Sequence, residues 1–127
     1  MGIAALIGRI LFSLIFIFSG ISHFSHSTIE YAVSQGVPMA SFLVPLSGAL
    51  AIAGGLSIAV GYKARLGAVL IMLFLIPVTL SMHKFWTVTD PAMSQMQMAH
   101  FMKNVSMFGG ALLIAYFGPG AMSLDNR

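Results

Sequence analysis

Residues 40–60 read ASFLVPLSGALAIAGGLSIAV, an apolar run without one charged side chain. In helical conformation about 20 such residues, rising about 1.5 Å each, cross the hydrocarbon core of a bilayer. The basic turn Gly61-Tyr62-Lys63-Ala64-Arg65 follows at once, and then a second apolar run over about 66–85 with Pro77 inside it. Two runs of membrane length joined by so short a turn read as an antiparallel helical hairpin in a bilayer.

The same pattern extends outward. Residues 3–24 form a run whose one charge is Arg9, and residues 101–117 form another with Lys103 near its start. A lipid-exposed strand would leave backbone groups unpaired, and so few runs cannot close a barrel. The expected fold is therefore all-α: an integral membrane four-helix bundle, one domain over residues 1–127, with the third helix kinked at Pro77.

Composition agrees. The chain has 127 residues, 58% hydrophobic and 7% charged, with a mean hydropathy of +0.96. Soluble domains carry about 25% charged residues, so an ordinary soluble globule is excluded. With no cysteine there is no disulfide framework, thiolate metal site, cysteine nucleophile or iron–sulfur motif, and no haem attachment signature. Six Lys and Arg against three Asp and Glu form no basic run, so nucleic acid is not an expected partner.

The connections are equally plain. Residues 25–39 form a polar loop with a short interfacial helix expected near 29–34. Residues 86–100 form a second loop containing the turn signal Asp90-Pro91. Gly118-Pro119-Gly120 ends the last helix. The first run has signal-peptide features, but its apolar stretch continues to Phe24, so a retained helix is expected. Arg9, Lys63, Arg65 and Arg127 fall at one end, Lys84 and Lys103 at the other. The positive-inside rule then puts both termini in the cytoplasm.

Small residues drive helix association in lipid. Ser47, Ala51, Gly55 and Ala59 recur every fourth position with Gly48 and Gly54 beside them, and Ser106, Gly109 and Gly110 repeat the pattern in the last run. Both faces are expected to be helix contacts, within one chain or in a homo-oligomer.

Intramembrane charge is costly and faces the bundle or snorkels. Arg9, Ser13, Phe16, Gly20 and His23 share one helical face. Asp125 is the acid on the Arg9 side, so an Arg9–Asp125 ion pair is expected to pin the tail; an Arg9 snorkelling to lipid phosphate is the competing reading. All four histidines map to the opposite end, with Glu30, Lys84 and Trp86. An interfacial belt explains such a set without chemistry. The chemical reading is a polar pocket of His83, Lys103, Asn104, His23 and Trp86. Imidazoles exchange protons near neutral pH, Lys103 polarises a carbonyl and Asn104 orients it. Beside apolar walls such groups suit a quinone headgroup or another lipid-soluble redox carrier. A rival set, His23, His26, His83 and His100 with Met96 and Met98, offers imidazole and thioether ligands to Cu(I), although methionine is also an ordinary packing filler.

Several short motifs then come into register. They are Arg9, Leu11-Phe12 and Phe16-Ile17-Phe18-Ser19-Gly20; Tyr31 and Val37-Pro38; Gly54-Gly55 leading to Gly61 and Arg65; and His83 with Phe85-Trp86. Phe101-Met102-Lys103-Asn104-Val105, Gly109-Gly110, Gly118-Pro119-Gly120 and Ser123-Leu124-Asp125 complete the series. Their order and spacing resemble the DoxX family of small bacterial membrane proteins over nearly the whole chain. The resemblance implies four transmembrane helices in the inner membrane and an association with redox chemistry. Some such proteins are subunits of quinone-linked sulfur-compound oxidation, and others belong to membrane oxidoreductase assemblies and oxidative-stress defence. The family often has Lys where this chain has His23, which replaces a fixed charge by a titratable one. The leading expectation is a membrane subunit or accessory of a quinone-linked redox system, with membrane lipid and a redox protein as partners. The alternatives are a non-catalytic scaffold that binds a partner protein, and a small transporter or Cu(I)-handling protein.

Overall fold

A computed structural model describes residues 2–125. It is all-helical, with no strand among the described residues: α1 (Gly2–Ser22), α2 (His26–Ser34), α3 (Ala40–Val60), α4 (Ala64–Met82), a 3-10 turn (Phe85–Thr87) and α5 (Pro91–Phe117). Among the described residues three segments are long and apolar enough to cross a membrane: Gly2–Ser22, Ala40–Val60 and Ala64–Thr87. Arg127, counted above in the charge balance, lies outside the described residues.

Two connections differ from the sequence expectation. The helix in the first polar loop begins earlier, at His26, because the Ser25 hydroxyl accepts the Thr28 N–H at 3.3 Å and caps it. The second loop is mostly helix. Asp90 stands at the N-cap and Pro91 at the first helical position, where a proline's missing N–H costs nothing. Gln, Met and Ala then carry the helix on. Ser94, Gln95 and Gln97 dilute its hydropathy without weakening its helicity.

Packing follows a chain of neighbours: α1 on α3, α3 on α4, α4 on α5, with α2 laid against α3 and α4. The small residues of α3 serve two faces. A Cβ at Gly48 would stand 2.6 Å from the Gly20 carbonyl of α1, and one at Gly54 would stand 2.9 Å from the Gly67 carbonyl of α4. The corresponding expectation for α5 holds at Gly110 alone, which abuts Phe12; Gly109 has open space and Ser106 is exposed. Phe16, Ile58, Ile71, Phe74 and Leu75 fill the core. Leu11, Phe18, Leu73 and Phe117 stand exposed on the outside, a surface suited to lipid rather than water.

The Arg9–Asp125 ion pair is not formed. Arg9 Nη1 donates to the carbonyls of Pro119 and Ala121, both at 2.8 Å, and Nη2 to that of Met122 at 2.6 Å. The break at Gly118-Pro119-Gly120 removes these carbonyls from any helix, so they need donors, and the buried guanidinium supplies them in a fork. Asp125 instead accepts the N–H groups of Lys63 at 2.7 Å and Ala64 at 2.8 Å. Those are first-turn donors of α4 with no intrahelical acceptor, and Lys63 at the N-cap provides no side-chain oxygen. The tail is thus pinned as expected, but by separate partners. The hydrogen bonds from Ala64 and Lys63 hold the Asp125 carboxyl below its ordinary pKa.

Candidate functional site

At the end of the bundle away from the tail, a cavity of about 370 Å³ lies under α2. Ile15, Phe16 and Ser19 of α1 line one side, with His23 just beyond that helix; Ser27, Thr28 and Tyr31 of α2 cover it. α4 contributes Phe74, Leu75, Val78 and Met82 and leads into His83, while α5 contributes His100, Lys103, Asn104 and Met107. No carboxylate is among these lining residues.

His23, His83 and Asn104 are each held from behind. His23 Nδ1 lies 2.8 Å from Ser47 Oγ on α3, and that hydroxyl donates to the Val44 carbonyl at 2.7 Å. The His23 ring also packs on Phe74. His83 Nδ1 lies 2.9 Å from Gln97 Oε1, and its ring stacks on His100 with centroids 5.1 Å apart. Asn104 is buried and donates to Thr79 Oγ1 at 3.0 Å. Lys103 lies at the exposed side, with no hydrogen bond or ion pair among the described residues.

The lid is tied down separately. Tyr31 donates to the Met82 carbonyl at 2.8 Å and accepts from Gln97 Nε2 at 3.3 Å. Lys84 Nζ donates to the Gln35 carbonyl at 2.8 Å, at the C-terminal end of α2, where a cation also suits the helix dipole.

The sequence model of the DoxX family matches residues 4–84. This chain belongs to the DoxX family. Among relatives of this DoxX protein, inner membrane protein YphA of Escherichia coli (strain K12) is 35% identical over 124 residues, 96% of the chain and 88% of the relative. Inner membrane protein YqjF of the same organism is 34% identical over 125 residues, covering 97% and 90%. No solved structure matches the chain significantly.

In this DoxX protein the fold gathers four of the five expected pocket residues, His23, His83, Lys103 and Asn104, and adds His100. Trp86 is not among them. It is exposed and packs edge-on against Phe85 and Phe101, outside the lining. The Cu(I) set is not assembled: His26 is exposed and paired with Glu30 at 2.6 Å, and Met96 and Met98 stand on the exposed face of α5. No cluster of metal-ligating side chains occurs among the described residues.

Sequence reasoning missed Ser47, Gln97 and Thr79 as supports. The only signal for Thr79 is its spacing of four from His83. Ser47 and Gln97 face their histidines from other helices, and no local spacing announces such a pair.

Proposed function

We propose that this protein holds a small lipid-soluble molecule with a polar, quinone-like head in the cavity beneath α2, as the membrane subunit or accessory of a redox system. The observation that carries this is the convergence of three imidazoles, an ammonium and a buried amide beside aromatic and aliphatic walls in one 370 Å³ cavity. Apolar walls with a few convergent polar groups are the general form of a small-molecule site. α1 and α5 flank the cavity and meet closely only toward Phe12 and Gly110, so a ligand enters sideways from the lipid.

In the same reading the chain sits in a bacterial inner membrane, as its relatives' names say of them. The apolar part of α5, residues 101–117, is the fourth span, and both termini are cytoplasmic. Pro77, which leaves the Leu73 carbonyl without its helical donor, kinks α4. The polar end of the bundle then faces the outer leaflet.

Native mass spectrometry of the gently purified protein, scanned for quinone, lipid and metal together, tests the reading. Wild type is expected to retain one quinone that His83→Ala and Lys103→Ala both lose. Bulk phospholipid alone, unchanged by either substitution, would remove the pocket from consideration and leave a membrane scaffold.

A further inference from the structure

We propose that the cavity selects the reduced, hydroxyl-bearing form of its ligand, a lipid-soluble hydroquinone or phenol, over the oxidised dicarbonyl ring. This rests on the ring-binding reading above and adds which redox form is bound. The warrant is where the imidazole protons sit.

Ser47 has one hydroxyl proton and gives it to the Val44 carbonyl. In that arrangement it accepts from His23 Nδ1, which then carries that ring's proton. Gln97 is oriented by its other bond: its Nε2 donates to Tyr31, whose own proton is given to the Met82 carbonyl. The amide oxygen is thereby turned to His83, and an amide oxygen only accepts, so His83 Nδ1 carries the proton as well. Neither Ser47 nor Gln97 lines the cavity, whereas both histidines do. The Nδ1 edges are spent outside it, and each neutral ring keeps an unprotonated Nε2 as its remaining polar atom.

His23 and His83 thus offer the cavity two imidazole acceptors beside the Lys103 ammonium, with His100 as a third ring and Asn104 as an amide. A dicarbonyl ring brings acceptors only. One oxygen suits Lys103, but no carbonyl can satisfy Nε2 of a neutral histidine. A hydroquinone brings both kinds of group: its O–H donates to Nε2, and an oxygen lone pair accepts from Lys103. A site built to receive a hydroxyl proton discriminates against the analogue lacking it.

The test uses the full chain in detergent micelles, without oxygen, near pH 8, above the ordinary imidazole range. A decyl-substituted benzohydroquinone and its quinone are titrated in parallel by calorimetry. The hydroquinone is expected to bind about tenfold tighter or more, the factor one unmatched buried polar contact produces. Equal affinities, or a tighter quinone, overturn the inference and leave the pocket intact. No binding of either overturns the pocket reading too. Gln97→Leu, which frees the His83 proton, is expected to shrink the preference several-fold. Nitrogen-15 NMR of the histidines should then show the His83 proton shared between both nitrogens, where wild type holds it on Nδ1. A wild-type spectrum with the proton on Nε2 of His83 refutes the assignment directly.

Discussion

Gly48→Ala and Gly109→Ala are the same chemical change in α3 and α5, and the structure ranks them differently. At Gly48 a new Cβ would lie 2.6 Å from the Gly20 carbonyl and 2.8 Å from His23 Cβ. The first neighbour is backbone, so relief requires α1 to move off α3. Overpacking of this kind costs about 1–3 kcal/mol. The gain in helix propensity returns roughly 0.8–1 kcal/mol, leaving Gly48→Ala neutral to about 2 kcal/mol destabilised. At Gly109 nothing lies within 4 Å, so the propensity gain of roughly 0.8–1 kcal/mol stands alone. The two variants should therefore differ by about 1–3 kcal/mol. Thermal unfolding in one detergent, read by circular dichroism, measures the order. Gly48→Ala should melt at or below wild type and Gly109→Ala above it. A Gly48→Ala protein melting as high as Gly109→Ala would refute the close α1–α3 crossing. Because His23 borders that crossing, Gly48→Ala should also weaken ligand binding, whereas Gly109→Ala should not.

Arg9→Met removes the guanidinium donors to the Pro119, Ala121 and Met122 carbonyls. Hydrogen bonds to a charged donor contribute about 1.5–3 kcal/mol each, so a melt lowered well beyond that of Arg9→Lys is expected, with faster proteolysis of the tail. Asp125 has a depressed carboxyl pKa in the fold, so its contribution is whole above the ordinary value of 3.8 and is lost as pH falls below it. A melting curve against pH should show a low-pH loss in wild type that is smaller in Asp125→Ala; identical acid slopes would refute the cap. Asn104→Ala and Thr79→Val each strand the other's polar group. The double variant should be less unstable than the sum of the two, with a coupling near 0.6 and at most about 1.7 kcal/mol; strict additivity would deny the bond.

Much of the architecture was legible in local sequence because its causes are local. Apolar length and missing charge mark the spans at residues 40–60 and 66–85, since lipid accepts little else. The small residues of α3 announce close neighbours for the same reason. The early start of α5 was written in Asp90-Pro91 but masked by polar side chains that reduce hydropathy and leave helix formation untouched. The imidazoles at the end of the bundle could be grouped by topology alone, as could Lys103 and Asn104. His26 and Trp86 could not be separated from them, because facing inward or outward near a helix end depends on how the helices cross.

What the sequence by itself determined is membrane residence, the helical runs and the end of the bundle where polar groups collect. Backbone groups in lipid must be satisfied within their own segment, so these features need no knowledge of neighbours. Only the tertiary structure decided partners. It sent Arg9 to the tail carbonyls and Asp125 to the start of α4, set Ser47 behind His23 and Gln97 behind His83, and placed Lys103 beside them. A hydrogen bond depends on a few tenths of an ångström and on which atom carries the proton, and helices distant in sequence set both only when they pack.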